Sequence, residues 1–172
     1  MSETVDTEAL DHLSESYRPA GPDDVETLVR IAVDHAARIA GDRGADLLLR
    51  REMAYTEDQL RTRLAAAIDD PDALLLVGTY SGVVFGYVLA IFERLDDGEM
   101  LARVEQLVVE PDAREVGIGE TIMNAVVDEA RSRGCLGIDA LALPGDRETK
   151  NFFESFGLKA RQLVVHRSLS ES

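Results

Sequence analysis

The sequence feature that most constrains the fold is a strand, a turn and a glycine-bearing loop that lead directly into a helix, residues 104–120. The run Val104–Val109 favours a buried strand, and Pro111 ends it. Gly117 and Gly119 allow the backbone to turn tightly and to approach a ligand closely. A helix that begins after such a loop presents unpaired N–H groups and the positive end of its dipole, and this arrangement binds anions, most often phosphate. The stretch therefore predicts a phosphate-binding loop; the alternative is a strand–loop–helix connection without a ligand.

Apolar periodicity, capping residues and turn residues assign elements to the rest of the chain. They predict a short extended entry at 17–20, helices at 23–40, 56–70, 120–133 and 147–156, and strands at 73–80, 83–92, 100–109, 136–143 and 159–169. Residues 42–52 are compatible with a loop lying on the core or with a helical turn. Helix starts are expected at Asp23, with Glu26 completing a capping box, and at Thr56, with Gln59 doing the same.

This order of elements is an antiparallel meander followed by a strand–helix–strand crossover, which joins parallel neighbours. It predicts an α/β fold of the α+β type, with a mixed, mostly antiparallel central sheet of six to seven strands flanked by about four helices. The length favours a single domain, residues 17–169, preceded by an acidic tail, residues 1–16, that we expect to be mobile. The tail lacks the basic and apolar regions of a signal peptide, and no apolar run approaches the ~18 residues of a membrane span, so a cytoplasmic protein without a membrane partner is expected.

Composition excludes several functions. A formal net charge of -15 argues against binding to nucleic acids or anionic membranes, because phosphates would be repelled. The charge is compatible with a cationic substrate, or it is simply a solvated acidic surface. Cys135 is the only cysteine and lacks an obvious histidine partner, so neither a disulfide nor a nucleophilic, ping-pong mechanism is expected. His12, His35 and His166 are scattered and predict no metal site.

Two common glycine-rich motifs, the Walker A loop and the dinucleotide fingerprint, do not match this sequence. A Walker A loop needs Lys-Ser or Lys-Thr at its end, and neither follows Gly119. A dinucleotide fingerprint needs a third glycine where this chain has Ile122, and it belongs in a series of strand–helix–strand units rather than at the end of a meander.

The pattern that fits is Arg114-x-x-Gly117-x-Gly119, which follows Glu105–Pro111, a segment of the form Glu-x-Leu-x-Val-x-Pro. On these residues the chain resembles the GNAT superfamily of acyl-CoA-dependent N-acetyltransferases, whose signature [RQ]-x-x-G-x-[GA] lies between the fourth strand and the third helix. Asn151–Leu158 is similar to the late helix and following glycine of that family. The resemblance covers about residues 17–169, with the element order in agreement.

The resemblance implies that the fourth and fifth strands splay apart and that the pantetheine of the coenzyme lies between them like an extra strand. Backbone N–H groups of the loop would cradle the pyrophosphate, and a backbone N–H near Leu107–Val109 would polarise the thioester carbonyl as an oxyanion hole does. The residues so assigned to the coenzyme are Leu107, Val108, Val109, Arg114, Glu115, Val116, Gly117, Ile118, Gly119, Glu120, Asp146 and Phe153.

Catalysis would proceed by direct attack of an amine on the thioester, which requires removal of an amine proton. Glu105, on the central strand, is the candidate base; the alternative is a structural carboxylate paired with Arg103 or another cation. Many members of the family have an asparagine where this chain has Asp146, which either faces the coenzyme or only caps its helix. Phe153 stands where a tyrosine commonly protonates the leaving thiolate. Water, another side chain or no dedicated acid then serves that step, or the protein binds acyl-CoA without turnover.

We therefore expect an N-acetyltransferase that uses acetyl-CoA as cosubstrate on a primary amine, without a metal. The alternative is a non-catalytic acyl-CoA-binding or regulatory module of the same fold. The acceptor pocket would be shaped by residues 25–52 and 95–99, and the net charge mildly favours a cationic amine. The protein is expected to be a monomer or a homodimer.

Overall fold

The computed structural model of the protein describes residues 14–51, 56–167 and 169. Most of the predicted tail therefore lies outside the described residues. The first strand begins at Glu15, two residues before the predicted start of the domain.

Five strands and five helices form the domain in the described part of the chain. The strands are β1 Glu15–Pro19, β2 Ala73–Tyr80, β3 Val83–Arg94, β4 Met100–Val109 and β5 Ile138–Ala140. The helices are α1 Val25–Ile39, α2 Ala45–Arg51, α3 Glu57–Asp69, α4 Ile118–Ser132 and α5 Arg147–Ser155. Short 3-10 helices at Pro22–Asp24 and Pro111–Val116 precede α1 and α4. None of the helices in these described residues is long and apolar enough to cross a membrane.

The strands form one sheet in the order β1-β2-β3-β4-β5, antiparallel except for the parallel pair β4–β5. The mixed sheet and the predicted meander are confirmed, but the described residues contain five strands instead of six to seven. One face carries α1 and α3 over a core that includes Tyr87 and Leu89. The other carries α4 and α5 over a core that includes Val88 and Ile122.

The strand predicted at 159–169 is wrong for the described residues of that segment, which adopt no strand. Leu163, Val164 and Val165 are exposed by 81, 74 and 86%. A β-branched run favours a strand only where a neighbouring strand supplies hydrogen bonds and a face to pack against. The available neighbour, β5, is three residues long instead of the predicted eight, and its pairing runs to β4.

Two capping boxes were predicted, and the one at Asp23 is wrong. The side chain of Asp24, instead of Asp23, accepts a hydrogen bond from the N–H of Gly21 at 2.8 Å, and a 3-10 turn delays α1 until Val25. Asp24 also forms a salt bridge with Arg18, whose guanidinium holds the pKa of the carboxyl below its usual value. The capping box of Thr56 and Gln59 at the start of α3 is confirmed.

A pair of glycines allows α4 to lie close against the sheet. Gly78 on β2 is directly opposite Gly86 on β3. A Cβ atom at Gly78 would overlap Cγ2 of Ile118, and one at Gly86 would lie 2.7 Å from the carbonyl oxygen of Val108. The two missing side chains therefore make room for the first turn of α4 and for the end of β4.

Candidate functional site

The parallel strands β4 and β5 separate soon after they meet. Their pairing is restricted to Ala102–Val104 against Ile138–Ala140. β4 continues to Val109, and the edge of its last residues has no partner among the described strands. A free strand edge offers N–H and C=O groups to an extended ligand, and it lies where the resemblance implies that the fourth and fifth strands splay apart.

Glu105 occupies a β-bulge at the point where the strands begin to separate. Leu89 pairs with Gln106 and Ala90 pairs with Val104, which leaves Glu105 without an opposite residue on β3. Bulges re-aim a side chain and are common beside active sites. The sequence placed Glu105 on the strand but contained no sign of the bulge.

Two guanidinium groups hold the carboxylate of Glu105. Nη2 of Arg103 lies 2.7 Å from Oε1, and Arg63 of α3 forms a second salt bridge. The side chain of Glu105 is 12% exposed. The pairing with Arg103 that the structural interpretation of Glu105 expected is therefore present, and Arg63 reinforces it.

A buried hydrogen bond fixes the residue next to the bulge. The hydroxyl of Tyr87 donates to Oε1 of Gln106 at 2.7 Å, and both side chains are buried. Burial raises the pKa of Tyr87, so the phenol stays protonated and remains a donor. The bulge is therefore held by polar contacts on both sides of Glu105.

The glycine loop has the geometry of an anion site. The 3-10 helix Pro111–Val116 ends at Gly117, whose φ of 79° is left-handed, and α4 begins at Ile118. The first N–H groups of α4 have no intrahelical partner, and the helix dipole adds positive potential there. Gly119 lies against Phe152 and Val109, because a Cβ placed on it would approach both within 3.4–3.6 Å. Gly117 therefore serves the tight turn that the sequence predicted, whereas the close neighbours of Gly119 are protein side chains and its predicted approach to a ligand stays a prediction.

Arg114 crosses from this loop to α5. Its Nη1 lies 3.0 and 3.1 Å from the two carboxylate oxygens of Glu148. The side chain of Arg114 is 40% exposed and that of Glu148 is 71% exposed. The cation predicted to hold phosphate thus has a protein carboxylate as its partner.

These parts surround one cleft of about 600 Å³. Its walls are the end of α1 with the residues after it, the end of β4 with the glycine loop, and the start of α5. The lining residues are His35, Arg38, Ile39, Asp42, Arg43, Leu107, Val108, Val109, Pro111, Arg114, Gly119, Gly145, Asp146, Arg147, Glu148, Thr149, Phe152 and Phe153.

The cleft brings together about half of the residues predicted to contact the coenzyme: Leu107, Val108, Val109, Arg114, Gly119, Asp146 and Phe153. The others, Glu115, Val116, Gly117, Ile118 and Glu120, form the loop and the first turn of α4 without lining the cleft. Glu105 lies outside the lining as well, next to the cleft along β4.

Asp146 and Phe153 have clear structural roles on α5. Oδ1 of Asp146 accepts a hydrogen bond from the N–H of Thr149 at 2.9 Å and caps the helix, as predicted. Phe153 is 8% exposed and packs edge-to-face on Phe152, with ring centroids 5.6 Å apart. Because Asp146 also lines the cleft, its capping and ligand-facing interpretations are compatible.

The α1 wall lies within residues 25–52, which the resemblance assigned to the acceptor pocket, but none of its side chains was predicted as a site residue. His35, Arg38 and Asp42 lie three and four residues apart, so they share one side of the helix and of the turn that follows it. This spacing was the available signal, but any solvated helix face has the same pattern. The wall became visible only when the fold placed the end of α1 beside α5, where a Cβ on Gly44 would lie 3.8 Å from Leu143 and Pro144.

His35 is a titratable group of the cleft whose pKa is changed by its surroundings. Its Nδ1 is buried and has no hydrogen-bond partner among the described residues. Burial lowers the pKa of His35; Arg38 and Arg114 lower it further, against the opposing effect of Asp146 and Asp42. The imidazole is therefore neutral at pH 7 and able to accept a proton.

The remaining reactive groups lie elsewhere. Cys135 follows α4, and burial raises the pKa of its thiol, which opposes a role as nucleophile. His166 is exposed in the C-terminal segment, and His12 lies outside the described residues. No group of three or more His, Cys, Asp or Glu in the described ranges is arranged to hold a metal ion.

A second cleft, of about 550 Å³, lies between α3 and β3 and includes Arg63.

Comparisons with known proteins agree with this geometry. Residues 45–158 match the model of the acetyltransferase (GNAT) family. A search of curated proteins finds no match. The fold is similar to that of a transcriptional regulator from Bacillus halodurans C-125, with a TM-score of 0.67 and 21% identity over 90% of this chain and 99% of the other.

Two further solved structures are similar in fold. A glucosamine-6-phosphate N-acetyltransferase from Arabidopsis thaliana has a TM-score of 0.65 and 15% identity, covering 91% of this chain and 99% of its own. An aminoglycoside acetyltransferase from an uncultured soil metagenomic sample has a TM-score of 0.67 and 15% identity, covering 95% and 99%. With the splayed strands, the glycine loop and a family match over about two thirds of its length, the chain belongs to the acetyltransferase (GNAT) family.

Proposed function

We propose that the protein is an N-acetyltransferase that transfers an acetyl group from acetyl-CoA to a primary amine by direct attack. The observation that carries the proposal is the continuity of one cleft, in which the free edge of β4 leads to the N–H groups at the start of α4. Acetyl-CoA supplies the acetyl group as an activated thioester. The remaining chemistry is assigned to the residues around the cleft.

Arg114 to Gly119 would hold the pyrophosphate. The N–H groups of the loop and of the first turn of α4 donate, and the helix dipole favours the negative charge. Arg114 would add a charge-assisted contact after exchanging Glu148 for phosphate. The edge of Leu107–Val109 would hydrogen-bond the pantetheine amides, and one of its N–H groups would polarise the thioester carbonyl.

Removal of the amine proton is assigned first to Glu105. Its bulge places it on β4 beside the proposed thioester position, and its carboxylate form is stabilised by Arg63 and Arg103. Because both oxygens of the carboxylate already have arginine partners, transfer through a water molecule is the expected route. His35 is the second candidate, because it lines the cleft as a neutral imidazole.

Protonation of the departing thiolate is assigned to solvent. Phe153 stands where the family commonly has a tyrosine, and its buried ring has no proton to donate. A thiol with a pKa of ~8.5 is a good leaving group even without a dedicated acid. Substituting a potential proton donor on α5 is therefore expected to leave the rate of acetyl transfer unchanged.

The test separates binding from turnover. Acetyl-CoA affinity is measured by calorimetry, and thiol release from acetyl-CoA is followed over a panel of amino acids, amino sugars, polyamines and peptide amines. Binding with amine-dependent thiol release supports the proposal. Binding without release on any amine favours the alternative, a non-catalytic acyl-CoA-binding module.

A cytoplasmic location, a monomeric or homodimeric state and the lack of a nucleic-acid partner stay predictions.

A further inference from the structure

Five arginines with described side chains form no ion pair with a described residue, and three of them line the cleft of this acidic chain; the other two are Arg94 and Arg167. The protein has 33 aspartates and glutamates against 18 lysines and arginines. Carboxylate partners are found for Arg18, Arg30, Arg61, Arg63, Arg103, Arg114, Arg131, Arg133 and Arg161. Arg38, Arg43 and Arg147 form no ion pair with any described residue, and all three line the cleft.

The three arginines come from two different walls of the cleft. Arg147 is the first residue of α5, on the side of Asp146 and the glycine loop. Arg38 is in the last turn of α1, and Arg43 follows the end of that helix. Between Arg38 and Arg43 lies Asp42, the carboxylate that α1 and the following turn contribute to the cleft. The α1 wall therefore carries a net positive charge in a protein whose overall charge is -15.

The charges around His35 also indicate a positive electrostatic potential inside the cleft. Arg38 and Arg114 lower its pKa more than Asp146 and Asp42 raise it. A positive local potential persists in spite of the acidic surface because nearby charges outweigh distant, screened ones. The net charge of the chain is therefore a poor guide to the charge of a molecule that binds here.

In the proposed function, the coenzyme phosphates are assigned to the glycine loop and the start of α4, away from Arg38 and Arg43. The loop Arg114–Gly119 and the start of α4 supply N–H groups, and Arg147 lies beside them at the start of α5. Arg38 and Arg43 lie within residues 25–52, the segment that the resemblance assigns to the acceptor pocket. Two guanidinium groups with five donors each match the geometry of carboxylate or phosphate oxygens.

We propose that Arg38 and Arg43 bind an anionic group, a carboxylate or a phosphate, carried by the amine acceptor. The proposal rests on the proposed acetyltransferase function and narrows its substrate class. It replaces the expectation of a cationic amine that the net charge alone suggested. An amino acid and an amino sugar phosphate both carry an amine and an anion of this kind.

The kinetic test compares matched pairs of acceptors. Glucosamine 6-phosphate is compared with glucosamine, and an amino acid with its amide, by thiol release from acetyl-CoA. The anionic member of at least one pair should have the higher kcat/KM. In the double variant Arg38→Gln/Arg43→Gln, the ratio between the two members should fall roughly tenfold or more, because charged hydrogen bonds are lost. Arg167→Gln, at an exposed position outside the cleft, is the control and should keep the ratio.

A binding test does not depend on turnover. Inorganic phosphate is titrated into protein saturated with CoA, whose own phosphates then occupy the coenzyme site. The native protein and Arg167→Gln should bind phosphate, and the double variant should lose at least tenfold in affinity. If CoA itself fails to bind, the proposed function fails, and the same titration of the free protein still tests the two arginines.

Three results would overturn the proposal. One is a preference for the neutral member of every pair that reacts. Another is phosphate affinity that does not differ between the native protein and the double variant. The third is a loss of acetyl-CoA affinity in the double variant that disappears with 3′-dephospho-acetyl-CoA, since Arg38 and Arg43 would then bind the coenzyme phosphate.

Discussion

Oε1 of Glu105 lies 2.7 Å from Nη2 of Arg103, and the opposite side of the same carboxylate is held by Arg63. The three side chains come from β4 and α3, and they meet where a bulge turns Glu105 out of the regular pairing. The ion pairs with both arginines agree with the structural interpretation of Glu105, and its role as the base stays a prediction.

Glu105→Gln tests which role dominates. If Glu105 is the base, kcat/KM should fall by roughly 10²-fold or more, while acetyl-CoA affinity and the free energy of unfolding change little. Kinetics, calorimetry and urea unfolding measure the three quantities. The control is Glu93→Gln, which removes a carboxylate 3.9 Å from Nε of Arg103 on the neighbouring strand. A parallel loss of affinity and stability, with no separate loss of kcat, would assign Glu105 to the structure alone.

Glu148→Gln tests the partner of Arg114. Removing the carboxylate frees the guanidinium for phosphate, so acetyl-CoA affinity should rise by about three- to tenfold, in keeping with the modest energy of an exposed ion pair. Calorimetry at low and high salt measures the change, which should shrink at high salt. The matched control is Glu154→Gln, which removes the salt bridge to Lys150 on the same helix. Unchanged or weaker affinity in Glu148→Gln would mean that Arg114 does not contact the coenzyme.

Gly78→Val tests the close packing of α4. The new side chain would overlap Ile118, so the protein should lose about 1–3 kcal/mol of unfolding free energy and bind acetyl-CoA less tightly as the helix start is displaced. Denaturant unfolding and calorimetry give the two values. Gly41→Ala is the control, because no atom lies within 4 Å of the Cβ it would introduce. An unchanged unfolding free energy in Gly78→Val would contradict this prediction, because the first turn of α4 would then move away from the new side chain without loss of stability.

The pH dependence of stability should carry a contribution from His35. Its pKa is lowered in the folded protein, so the unfolded chain binds the proton more readily between that lowered pKa and the ordinary value of 6.5. This contribution to stability is present above about pH 6.5 and is lost as the pH falls below it. His35→Gln should therefore reduce the decrease in unfolding free energy as the pH falls, as measured by urea unfolding at pH 7.5, 6.5 and 5.5. His166→Gln, at an exposed position, should leave it in place. An unaltered decline in His35→Gln would contradict the burial argument.

Local patterns in the sequence determined much of the fold. The bounds of β2 and β4, the capping box of Thr56 and the cap of Asp146 all agree with the prediction. Each depends on residues that are close in sequence: alternation along a strand, a hydroxyl three residues before its N–H partner, or a glycine at the start of a helix. The loop from Arg114 to Gly119 belongs to the same class, which is why the sequence alone identified it and the family to which it points.

Only the tertiary structure decided how these parts meet. The partners of Glu105 include Arg63, which is distant in the chain, and the bulge depends on the register between β3 and β4. The end of α1 and the start of α5 line one cleft although the two helices lie on opposite faces of the sheet, and only the folded chain brings them together. The C-terminal run around Val164 has the composition of a strand but stays exposed, since a strand needs a neighbour to bond to. Short-range preferences are written in adjacent residues, whereas pairing, register and the charge of a cleft follow from contacts that the chain forms only when it is folded.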